Sequence, residues 1–226
     1  MLILFAVLGA VVIIYGPHLW AKYILDKYNQ KAYFSGNGLD LAQLLLLEVG
    51  ITDVMVEMNT TSDHYNPEKK FISLSEKNCG HRTLTAVVVA SHEVGHAIQD
   101  HLDYGPFRTR TRMIRTAVTM ERLGAGLILI VPIITAIFRI PAAGLLMLAG
   151  GFTALCIPVL MHLLTLPTEF DASFNRALPL LSTGKYIPAE DILIARKILL
   201  ACALTYVANA LVGLLNVWRW LRVLRR

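Results

Sequence analysis

Long runs without a charged side chain constrain this chain more than any other sequence feature. Three of them cover residues 1–21, 140–168 and 198–218, and a shorter run covers residues 123–138. About 20 apolar residues are enough for a helix to cross the hydrocarbon core of a bilayer, and arginines beside a shorter run can reach the headgroups. The sequence therefore predicts a mainly α membrane protein with about four transmembrane helices.

Composition and charge favour a lipid partner. Hydrophobic residues make up 55% of the chain, charged residues make up 16%, and the mean hydropathy is +0.56. Residues 104–122 hold five arginines and one glutamate directly before an apolar run, which favours contact with anionic headgroups rather than nucleic acid. The spacing of the three cysteines predicts no disulfide framework.

The segment between the first two apolar runs has a different composition. Leu39–Val49 predicts a helix, Val54–Met58 and Phe71–Leu74 predict short strands, and Leu84–Leu102 predicts a long helix. The residues between the two strands are rich in turn formers. We therefore expect a small α+β domain here.

The domain organisation follows from these runs and from the distribution of lysine and arginine. The segment 22–122 is the richest in these cations, which predicts that it lies on the cytoplasmic side of the membrane. The predicted divisions are a first transmembrane helix (1–21), the α+β domain (22–122), a transmembrane hairpin (123–168), a connecting segment (169–197), and a last transmembrane helix with a basic tail (198–226). Four spans would place the basic tail outside, against the usual trend, so its side stays open.

The pattern H-E-x-x-H occurs as His92-Glu93-Val94-Gly95-His96 in the long predicted helix. Residues four apart share one helical face, so both imidazoles can reach the same zinc ion. Glu93 is rotated by about 100° from His92, which suits a base acting on water at the metal. The preceding apolar residues predict burial of this helix, and Gly95 inside it predicts close packing against another backbone.

A catalytic zinc site needs a third protein ligand and an open position. Glu169 follows the third predicted span and would lie on the same side as the α+β domain, with Thr168 capping the helix that begins there. His64 and His81 remain candidates for this ligand. We expect Asp100, one turn beyond His96, to be solvated.

Three stretches of the chain resemble one family. AVVVASHEVGHAIQD, with TSDHYNPEKKFISLS before it and LPTEFDAS after it, resembles the YugP-like neutral zinc metallopeptidases of bacterial membranes over almost the whole chain. The resemblance implies that His92 and His96 bind zinc and that Glu93 is catalytic. The chain also resembles, more distantly, membrane gluzincins whose ligand glutamate precedes an acidic residue by four positions. Here Asp171 follows Glu169 by only two, which leaves Asp171 open as a partner of a ligating histidine or as the ligand itself.

Together these features predict a membrane-embedded zinc endopeptidase, gluzincin-like, in which His92, His96 and Glu169 bind Zn²⁺ and Glu93 activates water. We expect Phe71–Leu74 to form an edge strand that pairs with an extended protein or peptide substrate. The alternative is a metal-stabilised membrane scaffold without activity that recruits a partner protein. The sequence leaves open whether the chain forms a homo-oligomer or binds a membrane partner.

Overall fold

The structure is a computed structural model that describes residues 2–29, 35–59, 62–114, 116, 119, 150, 161, 164–183 and 185–215. Its first half contains the helices α1 (Leu2–Lys27), α2 (Gly38–Glu48), α3 (Glu76–Cys79) and α4 (Leu84–His101), and the strands β1 (Met55–Asn59), β2 (His64–Asn66) and β3 (Phe71–Ser75). Residues 105–114 form α5 and residues 164–170 form α6. A π-helical segment (Asp171–Ala177), α7 (Leu178–Leu181), a 3₁₀ turn (Ala189–Asp191) and α8 (Ile192–Leu215) follow.

The helices predicted at Leu39–Val49 and Leu84–Leu102 are confirmed as α2 and α4. Local capping residues fix where each of them begins. The Asn37 side chain accepts a hydrogen bond from the Asp40 backbone N–H, and the Asp40 carboxylate accepts one from the Asn37 N–H, which forms a capping box for α2. The Thr83 side chain caps α4 by accepting a hydrogen bond from the Ala86 N–H.

The three described strands form one sheet in the order β1-β3-β2. β3 pairs parallel with β1 and antiparallel with β2. The expectation that Phe71–Leu74 forms an edge strand is therefore wrong, because both sides of β3 are already hydrogen-bonded. The segment between the two predicted strands contains a third strand, because His64–Asn66 forms β2 instead of a simple turn. This strand occupies the side of β3 that the sequence left free.

Helix α4 lies at the centre of the core. Its residues Val87, Val88, Ala90 and Val94 are fully buried, and α4 packs against α2, α8 and the π-helical segment. Gly95 permits the last of these contacts, since a Cβ built there would lie 2.5 Å from the Ala172 carbonyl oxygen. The prediction that Gly95 allows close backbone packing is confirmed.

The predicted fold class, a mainly α membrane protein with about four transmembrane helices, is wrong. Within the described ranges no helix is both long enough and apolar enough to cross a membrane. Apolar residues in the first half of α8 contribute to the protein core: Ile198, Leu199 and Ala201 are fully buried, and α8 packs against α1 and α4. A buried core helix and a lipid-exposed helix have the same apolar composition, so the sequence pattern alone did not separate them. The predicted spans at 123–138 and 140–168 lie largely outside the described residues.

The segment after position 164 does not begin where the sequence indicated. Thr168 lies inside α6 and is fully buried, so the expectation that it caps a helix is wrong. The helix continues into seven residues with π-helical hydrogen bonding, Asp171–Ala177. Single π-helical turns are rare and occur frequently at functional sites. This one packs against α4 at the H-E-x-x-H residues.

Candidate metal centre

Two histidines of α4 and one glutamate of α6 converge on one point. The Nε2 atom of His96 lies 3.2 Å from Oε2 of Glu169, and Nε2 of His92 lies 3.3 Å from the same oxygen. All three residues are buried. Ligands that surround zinc tetrahedrally at about 2.0–2.1 Å are separated from one another by about 3.3 Å, so these two separations fit such a site.

The surroundings of His96 fix which ring nitrogen carries its proton. The Gln99 amide nitrogen donates to the Thr168 carbonyl and to the Asp171 carboxylate, each at 2.8 Å. This orientation leaves the Gln99 amide oxygen as an acceptor, 3.0 Å from Nδ1 of His96. The network therefore assigns the proton to Nδ1 and a lone pair to Nε2.

His92 is fixed in the same way by the π-helical segment. The Ser173 hydroxyl donates to the Leu199 carbonyl oxygen at 3.2 Å, and its oxygen lies 3.0 Å from Nδ1 of His92. Because the carbonyl can only accept, the Ser173 oxygen accepts the Nδ1 proton of His92. The Nε2 lone pair of this ring is then free to bind a metal.

Two imidazole lone pairs and one carboxylate oxygen thus face one another in a buried place. Such a group of acceptors is unfavourable without positive charge between its members. Without a metal, each ring would need a second proton, on Nε2, to balance the carboxylate. A single divalent cation satisfies all three atoms instead. The donor set, two imidazoles and one carboxylate, is one found in catalytic zinc sites. The residues present fit a metal ion.

The second oxygen of Glu169 has a different partner. Nη2 of Arg110, on α5, lies 3.1 Å from Oε1 of Glu169, and the Arg110 side chain is largely buried. Burial alone raises the pKa of Glu169. In the metal-free protein this effect is outweighed by the positive charge and hydrogen bonds that the two histidines supply when both of their ring nitrogens carry protons, and by the Arg110 guanidinium. The net pKa of Glu169 lies well below its ordinary value, so the carboxylate is ionised and available as a ligand.

Asp171 points away from this centre and does not belong to the three-residue group. Its carboxylate accepts hydrogen bonds from Gln99 at 2.8 Å, from Asn175 at 2.9 Å and from Arg176 at 3.2 Å. Burial raises the pKa of Asp171, but these hydrogen bonds and the Arg176 charge lower it further than burial raises it. Of the two roles that the sequence left open, the contacts support that of a partner, which acts on His96 through Gln99.

Glu93 is buried beside the two histidines, with 6% of its surface exposed. Within the described part of the chain its carboxylate has no hydrogen-bond or ion-pair partner. Burial is the main reason that the pKa of Glu93 rises to about 7, since the nearby His92 opposes this rise only in part. A carboxylate with a pKa near neutrality can both accept and return a proton.

The remaining sequence candidates lie elsewhere. His81 is exposed, and the His64 ring contacts the Ser62 hydroxyl and the Phe71 ring. Asp100 accepts hydrogen bonds from the Tyr65 hydroxyl at 2.7 Å and from the Lys70 ammonium at 2.6 Å. The expectation that Asp100 is solvated is therefore wrong, because its carboxylate joins α4 to β2 and to the turn that follows β2.

Three supporting residues were not found from the sequence. Gln99 follows His96 by three positions, and helical residues three apart are neighbours, so this spacing was an available signal. Ser173 and Arg110 approach the centre from elements distant in sequence, and no local pattern marks them.

Comparison with known proteins agrees with this geometry. A family described as "Putative neutral zinc metallopeptidase" matches residues 2–225. A curated relative, "Putative membrane protease YugP" of Bacillus subtilis (strain 168), is 31% identical over 226 residues, which cover 99% of this chain and 96% of the relative. No solved structure matches. The resemblance seen in the sequence is confirmed, and the chain belongs to this zinc metallopeptidase family.

Proposed function

We propose that the protein is a zinc-dependent endopeptidase that hydrolyses peptide bonds of protein substrates at a membrane surface. One observation carries this proposal: the lone pairs of His92 and His96 meet an ionised oxygen of Glu169 within 3.3 Å. A glutamate ligand from a helix separate from the H-E-x-x-H helix makes the proposed site gluzincin-like.

The chain's own residues provide the proton transfers that hydrolysis requires. When bound, zinc supplies a Lewis acid for the peptide carbonyl and for the attacking water. Glu93 accepts a proton from that water at its carboxylate and delivers it to the nitrogen of the leaving amine. The C–N bond breaks, a C–O bond forms, and Glu93 returns to its ionised state.

The number of donors favours an enzyme over a scaffold. Among the described residues, three proposed ligands lie close together, His92, His96 and Glu169, and Asp171 is engaged with other partners. Three ligands leave a position of a tetrahedral ion for water or substrate, whereas structural zinc sites have four. A scaffold would also have no use for a buried, unpaired Glu93.

A location at the membrane is supported by α1. Val12, Leu19 and Tyr23 lie on one face of this helix at helical spacing, and their side chains are 66%, 61% and 58% exposed. Lys22 and Lys27 are exposed nearby and could contact anionic headgroups. The related YugP protein is named a membrane protease.

Substitution of Glu93 tests the activity. Glu93→Gln keeps the three proposed ligands and removes the base, so we expect full zinc content and no cleavage of an unfolded protein such as casein. Glu57→Gln changes an exposed glutamate away from the centre and should cleave as the parent does. Equal cleavage by Glu93→Gln and the parent would refute the peptidase proposal.

Fluorescence quenching tests the membrane location. In a Trp218→Phe, Trp220→Phe background, Trp20 on α1 should be quenched by brominated phospholipids in vesicles. The matched control moves the indole to the exposed position 47 on α2 (Trp20→Phe with Leu47→Trp), which should stay unquenched. Absence of quenching at position 20 would contradict the proposed contact of α1 with lipid.

A further inference from the structure

A cavity opens directly beside the candidate metal centre. Its volume is about 260 Å³, and His92 and Glu93 form part of its wall. Residues from α1, α3, α4 and α8 form the remainder, together with the ends of β3 and of the loop before β2. This volume lies below the usual range for whole small-molecule ligands, so the cavity suits a single side chain.

The carboxylate of the proposed base, Glu93, faces this cavity. Glu93 is more than nine-tenths buried, and its carboxylate makes no hydrogen bond among the described residues. A buried carboxylate without a partner indicates that water or substrate contacts it. The cavity therefore connects the reacting centre with the space that a substrate residue would occupy.

The wall of the cavity combines apolar and acidic side chains. Leu25, Val89 and Cys202 supply apolar surface. Asp63 is partly buried, and its carboxylate is held by the Ser75 N–H at 2.6 Å and by the Asn78 amide at 2.8 Å. Asp26 supplies a second carboxylate at the exposed rim.

One cation also lines the cavity. Lys77 is exposed at the rim, and its four-carbon stem lets the ammonium group move into water. Asp63 has no such freedom, because α3 and the end of β3 hold both of its oxygens. The fixed charge of the cavity is therefore negative.

We propose that this cavity receives a lysine or arginine side chain of the substrate, next to the peptide bond that is cleaved; this inference rests on the proposed peptidase function. The methylene stem of such a side chain packs against Leu25 and Val89. Its cationic end meets the carboxylates of Asp63 and Asp26. The substrate class is thus a protein segment with a basic residue at the cleavage position.

Peptide cleavage tests the preference. Each quenched fluorescent peptide carries lysine, norleucine or glutamate at one chosen position. Separate sets of peptides place this residue at different positions on either side of the cleaved bond. At one position, kcat/KM for lysine should exceed that for norleucine by about fivefold, the size expected for a partly solvated ion pair. Glutamate should be the poorest of the three.

Matched variants assign the preference to the cavity. Asp26→Asn should reduce the lysine-to-norleucine ratio to about twofold, and Lys77→Gln should increase it, because each changes one charge at the rim. Glu57→Gln changes an acid that does not line the cavity and should leave the ratio unchanged. An unchanged ratio in both Asp26→Asn and Lys77→Gln overturns the inference.

Binding of small hydroxamates separates this inference from the proposed function. Lysine hydroxamate should bind the zinc-loaded parent about fivefold more tightly than norleucine hydroxamate, and Asp26→Asn should reduce the difference. If peptides are cleaved without a basic preference and the hydroxamates bind equally, the cavity inference fails and the peptidase proposal stands. If no peptide is cleaved but lysine hydroxamate binds more tightly, the peptidase proposal fails, and only the preference of the cavity for a basic side chain remains.

Discussion

The amide oxygen of Gln99 lies 3.0 Å from Nδ1 of His96. Because the Gln99 nitrogen donates to Thr168 and Asp171, this oxygen can only accept the histidine proton. Gln99 therefore fixes the ring so that its Nε2 lone pair points at Glu169. The Gln99 amide thus positions the His96 ring, and the Asp171 carboxylate orients that amide.

Loss of this hydrogen bond should weaken metal binding. Gln99→Met keeps the length of the side chain and removes the acceptor, so we expect zinc affinity to fall by about 10- to 100-fold. Competition with a fluorescent chelator measures this change. Gln43→Met, on α2, is the matched control and should bind zinc as the parent does. Parent-like affinity in Gln99→Met would show that the hydrogen bond has no influence on the ligand.

Arg110 should control how Glu169 presents its oxygens. The guanidinium engages Oε1 and leaves Oε2 to face the histidines. Arg110→Gln removes this charge, so we expect zinc affinity to fall by about tenfold or more, while Arg110→Lys retains part of it. The absorption spectrum of the cobalt-substituted protein should also change in Arg110→Gln, since the freed oxygen can join the coordination sphere. Identical spectra and affinities in all three proteins would argue against this role.

Gly95→Ala tests the packing between α4 and the π-helical segment. The new methyl group would lie 2.5 Å from the Ala172 carbonyl oxygen, and both elements would have to shift. Overpacking of this kind costs about 1–3 kcal/mol, so the thermal midpoint should fall. Gly80→Ala is the control, because its new methyl group would meet the nearest atom at an ordinary 3.6 Å. Equal midpoints for the two variants would mean that the contact can relax without cost.

The protein without metal should lose stability as pH rises, because Glu93 then becomes ionised in a buried place. Burial raises the pKa of Glu93 from 4.5 in the unfolded chain to about 7 in the folded protein. A raised folded-state pKa contributes stability below about pH 4.5, and that contribution is lost as pH rises through about 7. Glu93→Gln cannot ionise, so it should be more stable than the parent at about pH 8 and similar to it at about pH 4.5.

Chemical denaturation of the metal-free proteins measures this difference. One pKa unit corresponds to about 1.4 kcal/mol, so the gain of Glu93→Gln at about pH 8 should be on the order of 2–4 kcal/mol. Glu57→Gln, at an exposed position, should show no comparable gain. A gain in Glu93→Gln that does not depend on pH would contradict the raised pKa.

Local spacing was sufficient to predict the central residues. His92 and His96 are four apart on a helix, and a helical face brings such residues together whatever the remaining fold is. Gly95 was informative because a glycine inside a helix is costly and usually has a packing reason. Glu169 was chosen from its place in the chain, and the structure brings it to the two histidines, although its role as a ligand remains a prediction.

Features that depend on distant parts of the chain were not predictable in this way. The position of β3 between β1 and β2 depends on strand order, which no single strand encodes. The π-helical segment departs from the 3.6-residue period, so its buried polar residues, Asp171 and Ser173, could not be assigned to one face. The apolar sequence of α8 is equally compatible with lipid and with a protein core.

Zinc content of three purified proteins shows whether Glu169 or Asp171 is the third ligand of the metal centre. The parent should hold about one zinc per chain by elemental analysis if His92, His96 and Glu169 are the protein ligands, as we propose. Glu169→Ala should hold almost none after dialysis, whereas Asp171→Asn should keep most of it, since Asp171 acts only through Gln99. The proposed metal centre is contradicted if Glu169→Ala keeps its zinc while Asp171→Asn loses it.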